Sequence, residues 1–227
     1  MKKLIMFLTV FFSAFSFVTS ARAFTIDYVS GTTYNTLLVD NLAATMSTMD
    51  GMTVKATFAD GAEETVTWDS ASGAVSVSSG WSLSLGSADA DTFDSIWTLS
   101  SSIRGIVSLD LDGDLGDTVF DVITDSNDYY SPNSGNGNEL QVTSANNFDL
   151  ISVTYKDRVM VNSVWYGDLY KTMTLDFGSS GFIGEIKFKA DTDNLDAPLD
   201  QTPEPTTFLL FGLGCLGLAG VSRKKQL

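Results

Sequence analysis

The densest run of chemically capable side chains is Asp110-Leu111-Asp112-Gly113-Asp114-Leu115-Gly116-Asp117, with Asp121 just beyond it. Carboxylates at alternating positions suit a hard cation such as calcium, which binds through oxygen ligands. Asp110, Asp112, Asp114 and Asp121 fall at the first, third, fifth and twelfth positions of a calcium loop. Leu115 stands where that loop needs glycine for its sharp turn, and Asp121 is shorter than the usual bidentate Glu. No flanking helices are evident. The competing reading makes Asp110 and Asp112 the solvent face of a strand that buries Val107, Leu109 and Leu111, with Gly113–Gly116 a turn. Both readings stand at this point.

Aromatic loops are the second candidate. Tyr129 and Tyr130 precede the polar stretch Ser131-Pro132-Asn133-Ser134-Gly135-Asn136-Gly137-Asn138, and Tyr166 lies in Trp165-Tyr166-Gly167-Asp168. A ring offers sugars an apolar face, and neighbouring Asn and Asp accept their hydroxyl protons. Trp68 and Trp81, by contrast, are in phase with apolar neighbours and belong to a core.

Other chemistries are excluded by composition. The 227 residues contain no His and one Cys, so the commonest general base, the commonest metal ligand and any internal disulfide are missing. There is no G-x-S-x-G elbow and no Gly-rich phosphate loop, and the acids are too scattered to mark a carboxylate pair. The chain therefore reads as a non-enzyme. Thirteen Lys and Arg against 28 Asp and Glu give a net charge of −15, the wrong sign for a nucleic-acid partner. Six of those cations lie in the two ends, so only 7 fall in the span from Asp27 to Glu204 that holds all 28 acids, a charge of −21 over that span.

The elements that must position these groups are strands. Met52/Val54/Ala56/Phe58, Trp81/Leu83/Leu85, Val107/Leu109/Leu111, Ile151/Val153/Tyr155, Met173/Leu175/Phe177 and Ile186/Phe188/Ala190 all recur with period two. Asp60-Gly61 between the Met52 run and Thr65–Trp68 marks a hairpin. Only Leu37–Met49 and Ala90–Ile96 have weak helical character. The expectation is one all-β body over residues 24–200, an antiparallel two-sheet β-sandwich, jelly-roll-like. Asp191–Thr202, rich in Asp, reads as a flexible tether.

Both ends read as processing segments. Lys2-Lys3, an apolar run from Leu4 to Val18, and Ala21-Arg22-Ala23 form a secretory signal peptide over residues 1–23, cut after Ala23. At the other end stand Pro203-Glu204-Pro205, an uncharged stretch over 206–221, and a basic tail over 222–227 with Arg223, Lys224 and Lys225. As a helix that stretch would reach about 24 Å, short of a roughly 30 Å hydrocarbon core. It reads as a short transmembrane segment whose cations stay cytoplasmic.

This tripartite tail, residues 201–227, resembles the PEP-CTERM sorting signal of Gram-negative bacteria. The resemblance implies an exosortase as partner, a transpeptidase-like membrane enzyme acting at the motif. It also implies transient membrane residence with the body in the periplasm, then secretion or cell-surface display in an exopolysaccharide matrix. A carbohydrate-binding or adhesin module is the alternative role. Thr118-Val119-Phe120-Asp121 and Phe188-Lys189-Ala190-Asp191-Thr192-Asp193-Asn194 resemble short phrases in other PEP-CTERM proteins, which implies no activity.

Overall fold

The computed structural model describes residues 24–36, 48–86, 91–122, 137–145, 150–165, 168–195 and 200–201. Its strands are β1 (Thr25–Val29), β2 (Tyr34–Thr36), β3 (Thr53–Phe58), β4 (Glu63–Thr67), β5 (Ala74–Ser76), β6 (Trp81–Leu85) and β7 (Trp97–Asp112). They continue with β8 (Thr118–Asp121), β9 (Gln141–Ala145), β10 (Ser152–Val161), β11 (Leu169–Asp176), β12 (Phe182–Lys189), β13 (Asp191–Asn194) and β14 (Asp200–Gln201). Asp114–Gly116 forms a single 3-10 turn. Among the described residues no helix is long and apolar enough to cross a membrane. Residues 1–23 and 206–221 lie outside them, as does most of the stretch Leu37–Met49.

All strands are hydrogen-bonded into one mixed sheet organised around β7. The first half of β7 pairs with β6 on one edge and β12 on the other. Its second half pairs with β3 and β11. One long strand thus serves two sets of neighbours, and both sets send side chains into the same core. The hairpin at Asp60-Gly61 forms as expected: Gly61 adopts φ 80°, which glycine reaches without strain, and the Asp60 carboxylate accepts from the Ala62 amide at 3.1 Å.

Period-two alternation places the core correctly in most strands. Met52, Val54, Ala56 and Phe58, then Trp81, Leu83 and Leu85, are buried, as are Trp68 and Trp97. Trp97 stacks on Phe188 with ring centroids 6.1 Å apart, and its buried indole N–H donates to the Ala190 carbonyl at 2.9 Å.

Three expectations are corrected. In β7 Ile106, not Val107, points into the core. Phe58 pairs with Ile106 while Thr57 pairs with Ser108, so Val107 is the extra residue of a bulge that reverses the side-chain phase. Ile151 precedes β10 and is 53% exposed, leaving Val153 and Tyr155 as that strand's inward residues. Finally, Asp191–Asn194 is no tether but β13, buried and antiparallel to β8.

Parallel pairing also enters a sheet expected to be antiparallel. The outer edge of β10 takes β1 along Ser152–Lys156 and β2 along Val159–Val161, both parallel. Asp157 separates the two docking stretches. Its Oδ1 accepts from the Thr32 amide at 2.7 Å, and a Cβ on Gly31 would sit 2.3 Å from that oxygen. The chain can therefore step from β1 to β2 only with glycine there.

Candidate functional site

The Asp110–Asp121 stretch follows β7 around a tight corner into β8. Gly113 makes the corner possible, because a Cβ there would lie 2.0 Å from the Thr118 carbonyl oxygen. The four acids predicted to share one loop are divided among three environments. Asp110 remains in the ladder, with Lys55 Nζ 3.5 Å from its Oδ2 and the Thr174 hydroxyl donating to its Oδ1 at 2.7 Å. Asp112 and Asp114 both face Lys171, whose Nζ lies 3.7 Å from Asp112 Oδ1 and 3.5 Å from Asp114 Oδ2. Lys171 also donates to the Tyr34 hydroxyl at 2.9 Å. Burial opposes its charge, but the Tyr34 hydroxyl and the two carboxylates outweigh it and hold the ammonium above its ordinary value. Asp112 Oδ1 further accepts from the Asp114 amide at 3.0 Å, which stiffens the turn.

Asp121 faces elsewhere. It lies opposite Asp191 in the β8–β13 ladder, and Asp193, two residues on from Asp191, projects from the same strand face. Exposures of 1%, 4% and 2% put all three carboxylates inside the protein. One oxygen from each lies within 4.8 Å of the others. Asp191 Oδ1 accepts from the Thr92 hydroxyl and from the Thr192 amide, each at 2.9 Å. The backbone of Gly137 presses on Asp121, where a Cβ would come within 2.5 Å of Oδ1. Asn138 continues this cover, its amide donating to the Asp121 carbonyl at 3.1 Å. Burial, only partly offset by Thr92, pushes Asp191 up to about 7. Burial together with the Asp121 and Asp191 charges pushes Asp193 higher still. An all-oxygen trio of this kind is chemically fitted to a hard cation.

Asp191 and Asp193 were missed because acids near a proline read as a solvated linker. The available signal was their i, i+2 spacing after the Ile186/Phe188/Ala190 run, within one of the two short phrases that now prove to be strand partners.

Tyr129, Tyr130 and Tyr166 lie outside the described residues. Beside Tyr166, Trp165 is 47% exposed, with the Arg158 guanidinium 4.7 Å from its ring centroid.

The body delivers the C-terminal segment at a sheet edge, where β14 pairs antiparallel with β2 through Asp200–Asn35 and Gln201–Tyr34. From Gln201 onward, residues 201–225 match the family model described as the PEP-CTERM protein-sorting motif. The chain carries a PEP-CTERM sorting motif. Its match includes Pro203, Glu204, Pro205, Arg223, Lys224 and Lys225, all but Gln201 outside the described residues. The motif implies recognition by an exosortase and an extracytoplasmic or cell-surface destination in bacteria. No curated protein and no solved structure matches the chain.

Proposed function

We propose that this PEP-CTERM protein is a non-catalytic component of the exopolysaccharide or extracellular matrix of a Gram-negative bacterium. In this reading residues 1–23 are removed at Ala21-Arg22-Ala23, and the precursor is held in the inner membrane by 206–221. The body over 24–200, a sandwich whose two strand sets share β7, stands in the periplasm before an exosortase acts at Pro203-Glu204-Pro205. The observation that carries the reading is the sorting motif over 201–225. The charge of −20 over 24–200, 7 cations against 27 acids, supports it, because such a surface stays hydrated and disfavours adsorption to anionic surfaces. Replacing the Pro-Glu-Pro triplet with alanines should leave a full-length precursor in the membrane fraction. A mutant that matures and reaches the surface like wild type overturns the reading.

One observation favours a second role, polysaccharide binding: Trp165 is exposed next to Tyr166. A stacked ring contributes on the order of 1 kcal/mol. The double variant Tyr129→Ala/Tyr130→Ala should then weaken polysaccharide retention by roughly 30-fold, and Tyr166→Ala by about fivefold, at equal melting temperatures. Unchanged retention in both leaves the matrix role alone.

A further inference from the structure

We propose that Asp121, Asp191 and Asp193 hold a calcium ion that clips β13 to β8. Strand geometry assembles the ligands. Side chains two residues apart leave the same face of a strand, and directly opposed residues of an antiparallel pair share a face. Asp191 and Asp193 meet the first condition, and Asp121 with Asp191 the second.

The separations fit the ion. Calcium binds oxygen at roughly 2.4 Å, so two ligands on opposite sides of it stand about 4.8 Å apart. The three carboxylate oxygens here lie within 4.8 Å of one another.

A second observation, independent of the clustering, points to a missing partner. Asp193 is 2% exposed and its Oδ2 is buried without a hydrogen-bond partner among the described residues. Neither Asp191 nor Asp193 forms an ion pair with a described Lys or Arg, since Lys171 is engaged by Asp112 and Asp114 and Lys189 by Asp94. Burying a carboxylate oxygen without a partner is costly, whereas a divalent ion supplies both charge and contacts. The donor set selects a hard metal. All three ligands are carboxylates and the chain contains no His, so the site offers nothing to metals that prefer nitrogen or sulfur.

The site lies outside the calcium-loop pattern visible in the sequence. That pattern shares only Asp121 with it, and Lys171 already supplies the positive charge between Asp112 and Asp114. The clip fastens the last strand before β14 and the sorting motif, and it does not depend on whether the protein is a matrix component.

The test uses the purified full chain in detergent, stripped with a chelator. Calcium a hundredfold above Kd should raise the melting temperature on the order of 5–10 °C, and titration calorimetry should return one equivalent bound. Asp193→Asn should abolish the increment yet melt no lower than wild type in chelator, since the amide is isosteric and carries no charge to bury. Asp112→Asn should keep the increment. Absence of both heat and melting shift with wild type at millimolar calcium overturns the proposal, whatever the variants do. So does an increment that survives Asp193→Asn or disappears in Asp112→Asn.

Discussion

Asp121 and Asp191 stand directly across from one another in the β8–β13 ladder, two acids in a cross-strand position where like charges repel. The hydroxyl of Thr92 helps to hold this arrangement. Its one proton is shared between Asp191 Oδ1 and the Thr192 carbonyl, both at 2.9 Å, and its oxygen accepts from the Thr192 amide at 3.0 Å.

Thr92→Ala should accordingly destabilise the protein by about 1–3 kcal/mol, the cost of leaving buried polar groups without a partner. Thr92→Ser keeps the hydroxyl and should recover most of that loss. Urea unfolding of the three proteins side by side measures the difference.

Glu64 supplies a pH-dependent tie. Its Oε1 accepts from the Ser76 hydroxyl at 2.6 Å and its Oε2 from the Trp81 indole at 3.1 Å, which links β4 to β5 and β6. Hydrogen bonds, that from Ser76 first, hold its carboxyl below the ordinary 4.5. The folded state therefore binds the proton less readily than the unfolded chain. The stabilisation is fully present above about 4.5 and is lost as pH falls through the lower folded value. Wild type should exceed Glu64→Gln in stability at pH 7, and the gap should shrink below pH 4. Unfolding midpoints measured from pH 7 down to pH 3 would reveal a constant gap if the tie were absent.

Lys171 carries the turn after β7. Its side chain is 8% exposed, whereas those of Asp112 and Asp114 are each 42% exposed. Lys171→Met should cost about 1.5–3 kcal/mol, the range for a hydrogen bond involving a charged group. Water relieves part of the repulsion left between the acids. Equilibrium unfolding in low and high salt checks this: the deficit of the Met variant should be smaller in high salt, where the acids are screened.

Period-two patterning was enough to locate β3, β6, β11 and β12 and to place Trp68 and Trp81 in the core, because each rests on local alternation over a few residues. The bulge at Val107 was illegible for the same reason. Alternation continues through Val107/Leu109/Leu111 in the sequence, and only the pairing of Phe58 with Ile106 reveals the slip. β13 was hidden more deeply. Its acids look solvated until Thr118–Asp121, far away in the chain, is laid beside them. Of the predicted calcium loop, the sequence supplied the acids but not Lys171, which reaches them from β11.

The parallel docking of β1 and β2 on β10 has a consequence for the order in which this chain can fold. The Thr32–Asp157 hydrogen bond spans 125 residues, and among the described residues neither N-terminal strand has a nearer partner in the ladder. A chain emerging amino end first therefore holds β1 and β2 idle until β10 has followed. Such high contact order slows folding, since loop closure costs entropy before any contact rewards it. The sheet edge that will receive β14 cannot exist before then, because β2 reaches the sheet through β10. Completion of the sheet and delivery of its C-terminal segment are thus one late event, and β1 and β2, the first strands made, are among the last to find their place.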